Sequence, residues 1–412
     1  MRFALLGNHA DGLKMALALV ESSRHEFAAY SGPPIPWEKL GIRPDRVIGD
    51  IEEILADPKI DAVIVAGDLS QRPNQLRRAL QSERHVLCVA PPGDSPDITY
   101  EAAMIQSDTR RVLLPLLLGS LHPAVQRLRE LIQTNQPSPA VIRLIEWEQN
   151  RNPKSAATDG TQMEHGKESV LNPHLIGGSD TDSGYFPGWE VLQALGGPIA
   201  EVSAFAEQTI RPPHEPLLVA GRFEHGGLFQ AVLSPFAPEG TWRLRLTATF
   251  LRAELDLSCS NKAHLSWTDA AGAAHQEEWG IANPYREMVR VFENAVRTYE
   301  QGGGGSGSGE KQSREEAVMT WQDAIRAAEL DDAARRSVER RRVSALEYPE
   351  ATEEASFKGT MTMIGCGMLW LILVLLVLSR WFPVLLFVIV IMLTVFLCLQ
   401  VLRAIVRKSE KP

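Results

Sequence analysis

Gly7 and Gly12 bracket the run Asn8-His9-Ala10-Asp11 directly after a short apolar segment, Phe3-Ala4-Leu5-Leu6. This is the spacing of the first and third glycines of a G-x-G-x-x-G turn, in which a strand passes into a helix and backbone N–H groups meet a pyrophosphate. The chemistry it suggests is nucleotide binding, with Gly7, Asn8, His9 and Gly12 around the phosphates. His9 stands where the second glycine would let the backbone approach the ligand, so its side chain crowds that approach, and Asp11 adds negative charge beside it. The acid that would hold the ribose hydroxyls about 20 positions further on is missing. The next apolar run ends Ala29-Tyr30-Ser31, which leaves Ser31 at the ribose.

Acid–base candidates are fewer. Asp180 and Asp182 follow Gly177-Gly178-Ser179, a loop signal that makes solvated acids of them. The chemical alternative is a carboxylate pair, Asp180 with Asp182, two positions apart. His165, His174 and His214 have no ligand spacing, nor do Cys88, Cys259, Cys366 and Cys398, so no metal site and no disulfide framework is expected.

The elements that must carry these residues alternate over the first ninety positions. Helical spacing in Leu13–Val20 follows the Gly7 turn, and His25–Tyr30 is a second strand. Asp50 reads as the N-cap of a helix through Leu55, and Ile60-Asp61-Ala62-Val63-Ile64-Val65-Ala66 as a buried strand. Asn74–Gln81 is helical and His85–Val89 is a strand. Strands separated by helices in this rhythm predict a doubly wound parallel sheet. From about residue 120 the pattern changes. A helix from Pro123 to Ile132 precedes strands at Leu217–Phe223, Leu228–Leu233, Trp242–Phe250 and Ala253–Leu257, with a His225-Gly226-Gly227 turn, which predicts an α+β unit with an open antiparallel sheet. Tyr285–Tyr299 and Trp321–Arg340 are helices, and the run 302–309 is a Gly/Ser linker. The expected organisation is 1–120, 121–348 and 349–412.

The chain has 412 residues, 44% hydrophobic and 23% charged, with a formal net charge of -9. That is a globular composition, and the negative balance argues against a nucleic-acid partner. The aliphatic residues concentrate near the end. Segments 361–378 and 382–402 carry no charged residue, and at the helical rise they extend about 27 and 31 Å, the thickness of a hydrocarbon core. Ser379-Arg380-Trp381 forms the turn, while Lys358, Arg403, Arg407, Lys408 and Lys411 flank the outer ends. The expectation is a transmembrane hairpin in the lipid bilayer of the cytoplasmic (inner) membrane, with both ends and the globular domains in the cytoplasm.

The stretch from Asp50-Ile51-Glu52-Glu53-Ile54-Leu55 to His85-Val86-Leu87-Cys88 resembles the Gfo/Idh/MocA oxidoreductases. His122-Pro123-Ala124-Val125-Gln126-Arg127-Leu128-Arg129-Glu130-Leu131-Ile132 is similar to the helix opening that family's second domain. Asn283-Pro284-Tyr285-Arg286-Glu287-Met288, Trp321-Gln322-Asp323-Ala324 and Ala333–Ser337 resemble its closing helices. The resemblance implies an α/β Rossmann domain binding NAD or NADP, a second domain whose open sheet pairs into homo-oligomers, and dehydrogenase activity on a sugar or polyol. Its acid–base motifs are altered in this chain. Val89-Ala90-Pro91 replaces Glu-Lys-Pro, and Asp182-Ser183-Gly184-Tyr185-Phe186 replaces D-x-G-x-H, so that alanine and phenylalanine occupy the lysine and histidine positions. Trp189 stands where a further acid is common.

Three readings follow. The first is a membrane-anchored protein of this fold with its catalytic residues, and with them the cofactor, degenerate or lost. The second is a working NAD(P)-dependent dehydrogenase with a relocated pair, Asp182 and Tyr185. The third is a non-catalytic scaffold that binds a sugar nucleotide or a partner protein.

Overall fold

Short apolar runs with few polar interruptions become strands here because helices cover both of their faces. The computed structural model describes residues 1–134, 140–150, 186, 188–206, 216–234, 236–237, 242–257, 262–280, 283–301, 319–340 and 344–345. The chain begins with β1 (Arg2–Leu6), α1 (Ala10–Glu21), β2 (Glu26–Ser31), α2 (Trp37–Leu40), β3 (Arg46–Val47) and α3 (Ile51–Ala56). It continues with β4 (Ala62–Val65), α4 (Arg72–Gln81), β5 (His85–Val89), α5 (Pro96–Thr109) and β6 (Leu113–Leu116). All six strands are parallel in the order β3-β2-β1-β4-β5-β6. Every residue of β4 and β5 is buried, as expected of a sheet covered on both sides. Asp50 caps α3 by accepting the Glu52 N–H at 2.9 Å, the local signal that its sequence predicts.

A single 3₁₀ turn, Gly119–Leu121, leads into α6 (Pro123–Thr134), β7 (Ile142–Asn150), α7 (Trp189–Gly196) and β8 (Ile199–Ala206). Then come β9 (Leu217–Phe223), β10 (Leu228–Ser234), β11 (Trp242–Ala248), β12 (Arg252–Asp256), β13 (Ala263–Thr268) and β14 (Ala274–Trp279). Two long helices, α8 (Pro284–Glu300) and α9 (Trp321–Arg340), precede the short β15 (Ser344–Ala345). The second sheet runs β14-β13-β12-β11-β7-β10-β9-β8-β15.

This sheet corrects the antiparallel expectation, because β7 and β10 pair in parallel at its centre. The remaining pairs are antiparallel. The reason is topological: chain containing α7, β8 and β9 separates β7 from β10, long enough for a crossover. The β9–β10 hairpin turns at Gly226 and Gly227, with φ of +88° and +87°, angles that suit glycine.

Strands β7 to β13 bury residues largely in alternation, and one face packs on α6, α7 and α9 through Leu128, Leu192 and Leu330 among others. On the other face Phe205, Leu218 and Val232 stand side by side in register, 62%, 37% and 37% exposed. The last helices return to the first sheet. Met288, Val289 and Phe292 of α8 join the Phe3, Leu5 and Met15 cluster on one face, and Trp321, Ala324 and Ile325 of α9 join Leu6, Val63 and Leu76 on the other.

All of these elements belong to one compact unit, Met1–Leu346. Among the described residues no helix is long and apolar enough to cross a membrane. Segments 361–378 and 382–402, the run 302–309, and Asp180, Asp182, Tyr185, His165, His174 and His214 lie outside the described residues.

Candidate functional site

The strand order of the first sheet reverses between β1 and β4, and open parallel sheets hold ligands in the crevice beyond the carboxyl ends at such a point. The turn Gly7–Gly12 lies there. Gly7 has φ +98°, and a Cβ on it would sit 2.2 Å from the Ala66 carbonyl oxygen and 2.3 Å from Gly67 Cα. A Cβ on Gly12 would sit 2.3 Å from the Ala66 methyl. These are the two jobs of the first and third glycines: the tight turn and the close seating of helix on strand. The Gly7 N–H donates to the Ser31 carbonyl at 2.7 Å and the His9 N–H to the Ala66 carbonyl at 3.0 Å, so the turn is tied to the ends of both β2 and β4.

Gly7, Asn8, His9, Gly12 and Ser31 therefore meet at one edge of the sheet. Asn8 is exposed. Ser31 is buried, and its hydroxyl reaches the Gly49 carbonyl at 3.4 Å. His9 is the N-cap of α1, its Nδ1 accepting the Asp11 N–H at 3.2 Å. Asp11 is itself buried and accepts the Tyr285 hydroxyl at 2.6 Å. Burial, then the Asp11 charge, pushes the Tyr285 phenol well above its ordinary range. Lys14, 5.9 Å from the Tyr285 ring centre, is lowered by burial, with Asp11 pulling the other way. The glycine cradle fits the backbone approach of a dinucleotide, while His9 and Asp11 already use part of the first-turn charge and N–H capacity that a pyrophosphate would take.

The positions of the expected acid–base groups tell a different story. Ala90 follows β5, is joined to Pro91 by a cis peptide bond and packs against the apolar cluster below. Phe186 is fully buried, its ring edge-on to Trp147 at 5.5 Å and to Trp189 at 4.8 Å. Its N–H and the Trp189 indole N–H both donate to Asp331 Oδ1, at 3.1 and 3.4 Å. Phe186 is thus a core residue that seats the start of α7, and Trp189 seals it.

Glu190 went unnoticed in the sequence. It is 8% exposed, and burial pushes its carboxyl up to about 7, against the N–H groups of Glu190 and Gly119, with Asp323 adding to the rise. Its Oε2 is buried with no hydrogen-bond partner among the described residues. The signal was a single acid inside Trp189-Glu190-Val191-Leu192. Cys88 is buried, its thiol raised to about 12, and it is inert as a nucleophile. Among the described residues no cluster of His, Cys, Asp and Glu could hold a metal ion.

No protein-family model matches the sequence. It is 27% identical over 311 residues to D-xylose 1-dehydrogenase (NADP(+)) 2 of Haloferax volcanii, covering 73% of this chain and 90% of that protein. Its structure is similar to that of GenD2 from gentamicin A biosynthesis in complex with NAD, with TM-score 0.61, 19% identity, and 84% and 97% of the two chains covered. It is also similar to an oxidoreductase from Agrobacterium radiobacter in complex with NAD+, L-tartaric acid and magnesium, with TM-score 0.60, 13% identity, and 84% and 98% covered. The fold is that of the Gfo/Idh/MocA-like NAD(P) oxidoreductases.

Proposed function

We propose that this chain is a membrane-anchored dinucleotide-binding protein of sugar or polyol oxidoreductase fold that has given up the acid–base groups of dehydrogenation. One contrast carries the reading: the Gly7 and Gly12 cradle against Ala66 is kept, whereas Phe186 is sealed between Trp147 and Trp189. Gly7, Asn8, His9 and Gly12 would hold the phosphates. Ser31, in place of an acid, leaves a 2′-phosphate unopposed, which favours NADP over NAD; the NADP-named xylose dehydrogenase relative supports the same choice. The nicotinamide, when bound, would supply hydride chemistry; this chain offers neither Ala90 nor Phe186 as a proton carrier for it.

Titration of the full chain in detergent micelles with NADPH and NADH, followed by nucleotide fluorescence, tests the proposal. Saturable NADPH binding without oxidation of pentoses or inositols by NADP is the expected result. Turnover that disappears in Asp182→Asn or Tyr185→Phe would instead establish the relocated pair. Absence of binding to either nucleotide would favour the scaffold for a sugar nucleotide or a partner protein.

The charge-free segments 361–378 and 382–402 support a hairpin in the cytoplasmic membrane, with the folded unit on the cytoplasmic side. The row Phe205, Leu218 and Val232, which continues through Glu148 into Arg243 and Asp256, supports a second copy of this chain as the partner of the open sheet.

A further inference from the structure

Helix α4 begins against its own electrostatics. Gln71, its N-cap, makes no side-chain capping bond, and the first turn holds no acid. Arg72 is there instead, 0% exposed. A cation at a helix N-terminus opposes the macrodipole, and a guanidinium taken out of water is costly unless its donors are satisfied. A local rule broken in this way marks a position kept for something other than stability.

Two donors of Arg72 reach two loops at the crevice. Nε donates to the Gly67 carbonyl at 3.1 Å, just beyond β4, and Nη1 donates to the Pro91 carbonyl, just beyond β5. Gln75, one turn along α4, accepts the Gly67 N–H at 3.1 Å. Both backbone polar groups of Gly67 are thereby held by α4. On its other side, Gly67 lies so close to Gly7 that a Cβ on Gly7 would be 2.3 Å from the Gly67 Cα. A chain of direct contacts thus runs from Arg72 through Gly67 to the first glycine of the phosphate turn, while a second arm reaches the loop that starts at Ala90. A neutral amide could accept or donate locally, but the planar guanidinium fork spans two diverging carbonyls at once.

We propose that Arg72 is a positioning residue for the dinucleotide, stapling the loops after β4 and β5 together and fixing the Gly7 turn through Gly67. The ligand part of this proposal rests on the dinucleotide reading above; the staple does not.

The test uses the full chain in micelles with Arg72→Lys and Arg72→Gln. Amide hydrogen exchange is read at Gly67, Asp68, Gly93 and Asp94, and NADPH affinity is measured well below the melting temperature. Both variants should exchange faster at these four amides while β1 and β4 keep their protection. NADPH affinity should fall about tenfold or more, the scale of one lost charged hydrogen bond. Unchanged loop exchange in a folded variant overturns the staple. Faster exchange or a lower melting temperature with unaltered NADPH affinity overturns the positioning role and leaves a structural one. A wild-type chain that binds no NADPH overturns the dinucleotide reading and the ligand role of Arg72, while exchange still decides the staple.

Discussion

The Tyr285 hydroxyl donates to the buried Asp11 carboxylate across 2.6 Å, joining the first turn of α8 to the first turn of α1 over 274 residues of sequence. The contact gives the start of α1 an internal anion, favourable with respect to the helix dipole. Tyr285→Phe removes the donor and leaves the carboxylate buried, at a cost of about 1.5–3 kcal/mol, as for hydrogen bonds to charged groups. Urea unfolding measures it; a change below about 0.5 kcal/mol would mean that water or Lys14 carries the carboxylate instead.

His9 bears on the same turn in two opposed ways. His9→Gly loses the Nδ1 cap on the Asp11 N–H, worth about 1 kcal/mol or less when glycine replaces a capping side chain. It also opens the backbone approach to a pyrophosphate. The variant should be slightly less stable yet bind NADPH more tightly. Weaker binding would show that the imidazole is itself a ligand group.

Phe186→His places a histidine where the resemblance to the Gfo/Idh/MocA oxidoreductases implies one, but the site is a closed aromatic pocket formed by Trp147 and Trp189. An imidazole there loses packing and strands polar nitrogens, so destabilisation of about 2–4 kcal/mol is expected. Combined with Ala90→Lys, it should return no sugar or polyol oxidation. Turnover by the double variant would mean that residue 186 can swing out of the core toward the crevice.

The topology of the proposed membrane hairpin follows from charge. Cysteines introduced near Ser356 and Ser409 should both be labelled from the cytoplasmic side, because basic residues flank both outer ends of the two apolar segments. Labelling of the pair from opposite sides would exclude a hairpin.

Much of the first sheet was legible because its central strands are buried on both faces and read as nearly continuous apolar runs, as Ala62–Ala66 does. β6 escaped because Pro115 interrupts it, an interruption tolerated only because β6 is an edge strand. β14 escaped because Ala274-His275-Gln276-Glu277-Glu278 is almost wholly exposed and lacks apolar alternation. The parallel β7–β10 pair was invisible for another reason: periodicity reports which face a strand buries, not which strand lies beside it. The candidate site divides the same way. Gly7 and Gly12 are local and were read directly, whereas Asp331 under Phe186 and Tyr285 on Asp11 come from distant chain. Arg72 and Glu190 are single residues whose burial no spacing announces.

Glu190 gives the protein a pH dependence with a definite sign. Its carboxyl is raised from the ordinary 4.5 to about 7 in the folded state. Below pH 4.5 both states hold the proton and nothing is lost. Between 4.5 and 7 the unfolded chain releases the proton while the folded chain keeps it, so stability falls as pH rises, by about 3 kcal/mol in all, and stays level above 7. His85 acts in the opposite sense. Burial first, then Arg111, lowers its imidazole to about 4 against the pull of Asp61, so stability is lost as pH falls from about 6.5 toward 4. The two windows overlap and partly cancel in the wild-type curve, which makes the difference between variants the informative quantity. Glu190→Gln keeps a carbonyl for the Gly119 N–H but cannot ionise. Relative to wild type it should gain about 3 kcal/mol between pH 4 and pH 8, whatever constant penalty the buried amide imposes. Urea unfolding at half-unit steps across that range measures the slope. A difference that does not change with pH would mean that Glu190 is ionised in the folded protein, its Oε2 reached by a donor or by water.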